Sequence, residues 1–332
     1  MSSISVVVVP RQRWSFAERS LAAVLEHFPA GAQLVYVDGG SPPHISRRLE
    51  AAVRAVSGVW IRRDCVLAGN EARNLGLQEA TGRYVVFVDN DVVPRPGWIE
   101  ALVACADETG AAAVGPIILQ GRDESTAVVH SADGDLVIDD GVLTHVQRYV
   151  LDDLDEVAAA VGRCRTDQLE FHALLVRRDI LDQLGPLDEQ LKSMGDHEDL
   201  MLGIREAGGE AWVDAASVVV YLTMVPLDLD EVAYWQLRWS EEWNRRSVAR
   251  FTEKWHLAAD AGWPAGAAQW ASAERTRWYH GRTRLHHHAG RAMRRAFHTP
   301  VLSDPSRRFE QRVVSRRLDE EIARRRTVLG HD

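Results

Sequence analysis

Short β-branched runs alternate with amphipathic stretches along the first third of the chain, and this alternation restricts the fold more than any other feature. Residues 4–9 form an apolar run of strand length that stops at Pro10. Residues 14–28 predict a helix with Phe16, Leu21, Val24, Leu25 and Phe28 on one broad face. A second strand over 33–37 ends in Asp38-Gly39-Gly40-Ser41-Pro42-Pro43, a dense turn signal. A helix over 44–55, a strand over 59–61 and a helix over 70–80 follow. Thr81-Gly82 closes that helix, because glycine accepts the left-handed position that ends many helices. Residues 84–88 are then a buried strand running straight into Asp89-Asn90-Asp91. Strands that alternate with helices imply a mainly parallel, Rossmann-like sheet covered on both faces, an α/β fold. Ligands of such sheets bind beyond the carboxyl ends of the strands. Asp38 and Asp89 each follow a strand, so both should face one crevice.

Beyond residue 95 the pattern continues with a helix over 96–110 and a strand over 111–119. Residues 120–168 are less regular, with short β-like pieces at 127–130 and 136–138 and acids between Asp152 and Glu156. Strand signal returns over 169–176. Gly195-Asp196-His197-Glu198-Asp199 opens a helix that runs to Gly208, with Asp196 as its expected N-cap. Residues 212–221 read as a further strand, and from about 229 onward the pattern is helical.

Bulk properties exclude several classes. The chain has 332 residues, enough for one large α/β domain and an accessory region. Cys65, Cys105 and Cys164 stand alone, with no CxxC pair, so reduced thiols in a cytoplasmic protein are expected rather than disulfides or a cysteine zinc site. No basic region precedes the first apolar run, and no stretch reaches the roughly 18 apolar residues of a membrane helix. The net charge of −9 is uneven, since residues 275–332 hold 15 Arg against 6 acids. An acidic body argues against general nucleic-acid binding. The Arg-rich end has three readings: peripheral contact with an anionic inner-membrane surface, a homo-oligomer through the C-terminal helices, or a solvated helical face.

Asp89-Asn90-Asp91 is the sharpest chemical feature. Two carboxylates two positions apart turn toward one polyanionic ligand only with a cation between them, and Mg²⁺ or Mn²⁺ takes few carboxylates plus substrate phosphates. The plain alternative is a pair of acids capping the turn before Pro94 and Pro96. Asp38 has the same two readings, a carboxylate for a ribose or base edge and a turn former before Gly39-Gly40. Arg73 offers a planar fork to phosphate or carboxylate. Glu198 and Asp199 are either a stabilising first-turn pair or the site of a general base.

Taken together, the spacing resembles family 2 glycosyltransferases of the A-type fold over roughly residues 3–222. The resemblance rests on Pro10 after the first strand, Val37-Asp38-Gly39-Gly40-Ser41, and the segments 69–76 and 80–91. It continues through Pro96-Gly97-Trp98, Arg177-Arg178, the segment 184–189 and the segment 198–208. It implies a catalytic domain over 1–225, with a nucleotide-sugar half at 1–118 and an acceptor half at 119–225, followed by a helical, Arg-rich region at 226–332. It implies a sugar moved from a nucleoside-diphosphate donor of the uridine class to a hydroxyl acceptor by a single inverting displacement. Pro10, Asp38, Arg73, Asp89, Asn90 and Asp91 would bind the donor, and Asp91 with Asp89 would hold Mn²⁺ or Mg²⁺. Asp199, beside Glu198, would deprotonate the acceptor, and His172, His197 and Trp98 would lie on the acceptor side. Three departures stand out. Leu222 occupies the place of a metal-ligating histidine, Gly39 replaces an Asn or Asp, and Phe171-His172 replaces small residues. Leu222 keeps open a non-catalytic nucleotide-sugar binder or scaffold. A nucleotidyltransferase is a poorer match, because Pro10-Arg11-Gln12-Arg13-Trp14 lacks a glycine-rich phosphate loop.

In the C-terminal region Trp235, Trp239 and Trp243, then Phe251 and Trp255, recur at helical spacing. They form either a packing stripe or an aromatic wall for an acceptor. His286-His287-His288 is at most an adventitious metal binder.

Overall fold

The structure, a computed structural model, describes residues 3–11, 13–223, 227–228, 230–271, 273–274 and 303–332, the backbone alone for 303–314. The β-branched runs form strands as expected: β1 (Ile4–Val9), β2 (Gln33–Gly39), β3 (Val59–Arg63) and β4 (Tyr84–Asp89). Between them lie α1 (Trp14–Glu26), α2 (Pro43–Ala55) and α3 (Gly69–Glu79). Then come β5 (Val92–Pro94), α4 (Trp98–Thr109) and β6 (Ala113–Gly121).

The second half contributes β7 (Val128–Ser131), β8 (Asp133–Asp139), β9 (Val142–Arg148), α5 (Leu154–Val161) and β10 (Arg163–Arg165). It continues with β11 (Ala173–Arg177), α6 (Arg178–Leu184), α7 (Asp196–Glu206) and β12 (Ala211–Leu222). The irregular stretch is thus more ordered than its sequence suggests. The acids at 152–156 start α5, where Asp153 caps Asp155 and Glu156, and β8 and β9 form a hairpin turned at Asp140-Gly141.

The main sheet runs β10-β12-β6-β11-β4-β1-β2-β3. β1, β2, β3 and β4 are parallel, β6 and β12 are parallel to each other, and β11 lies antiparallel between β4 and β6. The sheet is therefore mainly parallel with one reversed central strand. Reversal has a direct consequence for the site. The start of β11, not its end, meets the carboxyl ends of its neighbours, and Ala173 pairs with Val88. The residue just before β11 is His172, whose carbonyl accepts the amide of Asp89 at 3.1 Å.

Strand alternation sends side chains to two large cores, one holding Val7, Phe87, Leu174 and Leu222, the other Val6, Val86, Trp98 and Val219. α8 (Val232–Arg238) and α9 (Glu241–Lys254) pack onto both. Ser240 caps α9 by accepting from the Trp243 amide, which breaks the helical stripe into two. Tyr234, Leu237 and Trp243 enter the second core and Phe251 the first, while Trp235 and Trp239 form a small cluster with Leu227, Val232 and Ala271. The tryptophan stripe is packing, not an exposed wall. A helix over 262–271, α10, follows.

The last helix, α11 (Ser303–Leu329), returns to the sheet. Its Arg325 is wholly buried and donates to Glu71 at 2.8 and 3.0 Å, so the Arg-rich end is in part an internal contact rather than a solvated face. His286, His287 and His288 lie outside the described residues. No helix among the described residues is long and apolar enough to cross a membrane.

Candidate functional site

The carboxyl ends of β1, β2 and β4, the start of β11 and the end of β12 bring polar side chains into one buried cluster. Asp89 and Asp91 lie in it, both wholly buried. Asp89 has three cationic or imidazole neighbours: Arg11 Nε at 3.4 Å, Arg73 Nη2 at 3.7 Å and His172 Nδ1 at 3.0 Å. Burial opposes its charge, but Arg11, His172 and Arg73 outweigh burial and hold its carboxyl below the usual range. Asp91 is the opposite case. Among the described residues, neither of its oxygens meets a hydrogen-bond donor. Burial first, and the charge of Asp89 second, push its carboxyl up to about 7.

An orphaned buried carboxylate is costly, and a protein relieves it by protonation or by a cation. Asp89, Asp91 and His172 offer ligand atoms that all lie within 4.8 Å of one another. The donor set, two carboxylates and one imidazole, suits a divalent ion such as Mn²⁺.

The other expected donor residues divide. Asn90 ties the two loops together, accepting from the Arg11 amide at 2.8 Å while its own amide bonds the Val9 carbonyl. Pro10 sits beside it, its carbonyl accepting from Tyr234. Asp38 accepts from the Ser41 amide at 3.1 Å, from Ser46 at 2.9 Å and from Arg62, so its carboxylate organises the turn. Gly39 has a steric reason. A Cβ there would lie 3.0 Å from Pro10 Cγ and 3.1 Å from the Leu67 amide nitrogen, so an Asn or Asp would require these neighbours to give by a few tenths of an ångström.

Arg73 does not face outward as a phosphate ligand. It is wholly buried, stacked 3.6 Å over Phe171, and bonds Asn70 at 2.9 Å and Asp196 at 2.7 Å. It bridges Asp196 to Asp89.

Of the residues expected on the acceptor side, His172 stacks on Tyr221 with ring centroids 4.0 Å apart, and burial pushes its imidazole down to about 4. His197 lies between Asp196 and Glu198, at 3.6 and 3.2 Å. Burial disfavours its charge, yet Glu198 and Asp196 raise it well above the ordinary range. Trp98 corrects the expectation. It is wholly buried in the second core, so it contacts no acceptor.

Helix α7 also differs in detail. Gly195, at φ 87°, is its N-cap, and Asp196 is its first residue rather than its cap. Asp199 accepts from Lys254 and Trp255, both at the end of α9. Burial raises its carboxyl, against the pull of Lys254 and Trp255. Glu198 accepts from Trp263 at 2.8 Å and lies 3.3 Å from His145. Burial opposes its charge, but His197 and His145 hold it down at about 2.

Leu222 needs correction as well. It points wholly buried into the first core, while its neighbour Tyr221 faces His172. The Leu222 backbone amide donates to the Asp91 carbonyl at 2.9 Å. The imidazole near them is His172, supplied by the reversed strand. Sequence reading passed over Arg11, His130, His145, Glu170 and Tyr221. Only their proximity in space marks them, since no short motif contains them.

The family model described as Glycosyl transferase family 2 matches residues 5–133. No curated protein matches. Among solved structures, that of GalNAc-T7 with UDP, GalNAc and Mn²⁺ is 17% identical, covers 82% of this chain and 55% of its own, and has a TM-score of 0.54. S. aureus TarS is 16% identical, covering 76% of this chain and 43% of its own, with a TM-score of 0.47, on which nothing here rests. The chain spans about half the length of these solved structures. The fold is that of the A-type glycosyltransferases.

Proposed function

We propose that this protein transfers a sugar from a nucleoside-diphosphate donor, uridine-based, to a hydroxyl acceptor with inversion at the anomeric carbon. The observation that carries the reading is Asp91, a buried carboxylate with both oxygens unpartnered among the described residues, beside Asp89 in the cluster. Such a group is tolerable when a ligand-borne cation completes it. Asp91 and Asp89 would hold Mn²⁺ or Mg²⁺, which when bound neutralises charge on the departing diphosphate. The family match over the strands that carry Pro10, Asp38 and Asp91 supports the donor half of the reading.

The protein's own groups do the rest. Arg11 and Arg73 hold Asp89 ionised and fixed. Asn90 keeps the β1 and β4 loops in register under the donor. The Asp38–Arg62 pair fixes the turn that borders the nucleoside side. Of the acids on α7, Asp199 has the raised proton affinity that a base needs, whereas Glu198 at about 2 is a poor proton acceptor. Asp199 acts as base when Lys254 at the end of α9 gives it up to the acceptor. Glu198 then serves as an anchor between Trp263 and His145.

The test is calorimetric binding of UDP with and without Mn²⁺, together with donor turnover, in wild type, Asp91→Ala and Asp199→Asn. Asp91→Ala is expected to lose the Mn²⁺-dependent part of binding. Asp199→Asn is expected to keep binding and lose transfer. Wild-type binding that ignores Mn²⁺ and survives Asp91→Ala overturns the reading.

A further inference from the structure

A second group of ligating side chains adjoins the first and shares His172 with it. His130 on β7, Glu170 and His172 offer ligand atoms that lie within 4.8 Å of one another. One carboxylate oxygen, Glu170 Oε2, lies 3.2 Å from His130 Nε2 and 3.5 Å from His172 Nε2. Four ligands around a zinc-class ion at ~2.1 Å stand about 3.4 Å apart along each tetrahedral edge. Both measured separations match that edge.

Around this triad stands the support that metal ligands require. Histidine ligands donate their other ring N–H to a carboxylate, and ligating carboxylates are themselves hydrogen-bonded. His172 presents Nδ1 to Asp89 at 3.0 Å. The second oxygen of Glu170 accepts from Gln147 Nε2 at 2.7 Å. His172 therefore faces a carboxylate through each ring nitrogen, although a neutral imidazole carries one N–H. Given Nδ1–H to Asp89, its Nε2 lone pair opposes an oxygen lone pair of Glu170. A cation at that point removes the opposition.

We propose that His130, Glu170 and His172 form a binding site for a zinc-class transition metal ion, separate from the Asp89–Asp91 pair. Two imidazoles and one carboxylate are borderline-soft ligands, unlike the all-oxygen set favoured by Mg²⁺. Three protein ligands leave the fourth position open. The ion joins β7 to the segment before β11. It fixes the His172 tautomer with Nδ1–H aimed at Asp89, so it acts as a positioning site for the donor carboxylates. The inference rests on side-chain geometry alone and stands whether or not the protein transfers sugar.

The experiment uses the full chain with His286→Ala, His287→Ala and His288→Ala, so that the histidine triplet contributes nothing. After chelation the protein is loaded with excess Zn²⁺ and dialysed against zinc-free buffer, zinc per chain is measured by elemental analysis, and a parallel sample takes Co²⁺, read by its visible absorption. One zinc per chain is expected, with a tetrahedral Co²⁺ spectrum. His130→Ala and the near-isosteric Glu170→Gln should each weaken zinc binding at least tenfold. Asp91→Ala should leave zinc in place while losing Mn²⁺, which separates this site from the donor site. Melting curves in chelator establish that each variant is folded. Absence of stoichiometric zinc, or zinc unchanged in both folded variants, overturns the proposal and leaves the triad as hydrogen-bonded imidazoles.

Discussion

Replacing Asp91 by Asn should reverse a pH-dependent weakness of the metal-free protein. In the unfolded chain the Asp91 carboxyl ionises near its ordinary 3.8, whereas in the folded protein burial and Asp89 hold it protonated up to about 7. Between these values the native state binds more protons than the unfolded state, so stability falls as pH rises. At about 1.4 kcal/mol per pKa unit, the separation costs about 4 kcal/mol at pH 8. At pH 5 the same group costs about 2 kcal/mol, because only the lower part of the window has been crossed. Other groups titrate too. Burial holds His172 neutral down to about 4, so it opposes stability in the acid direction. The informative quantity is therefore wild type minus Asp91→Asn at each pH. Urea unfolding in chelator at pH 5, 6.5 and 8 supplies it. The variant should gain on wild type by about 2 kcal/mol between pH 5 and pH 8. Mn²⁺ should bring wild type back toward the variant and release protons below pH 7. A difference that is flat across pH would refute the assignment of Asp91 as an orphaned buried acid.

Three further outcomes follow from named contacts. Arg325→Ala strands Glu71 in the interior, where Arg325 now bonds it at 2.8 and 3.0 Å, and should cost about 3–5 kcal/mol in denaturant unfolding. Gly39→Ala drives a Cβ to 3.0 Å from Pro10 Cγ and should cost about 1–3 kcal/mol, with weaker UDP binding measured by calorimetry. Lys254→Met removes an ion pair that holds the Asp199 carboxyl down, so NMR titration should find that carboxyl at a higher pKa than in wild type.

The donor half of the fold was legible because its signals are local. Each strand from 4 to 88 is a β-branched run bounded by glycine or proline, and its neighbours pair in parallel near their order in the chain. The acids Asp38, Asp89 and Asp91 were legible for the same reason, since each sits just past such a run. Helix α5 and the β8–β9 hairpin were not. Their residues are mixed and half exposed, and tertiary contacts rather than periodicity decide them.

The acceptor side was hidden by a single topological fact. Sequence shows that 169–176 is a strand but not which way it runs between β4 and β6. Because β11 is reversed, its first neighbours, Glu170 and His172, arrive at the edge where the parallel strands end. A motif sought at the end of β12 therefore finds Leu222, which faces the core, and signals a lost ligand. The imidazole instead enters from the opposite end of another strand, stacks on Tyr221 and reaches Asp89. Strand direction thus decides whether Leu222 reads as a broken catalytic site or as core packing. Here it is core packing, and the chemistry of the site has to be judged from Asp91, Asp89 and His172.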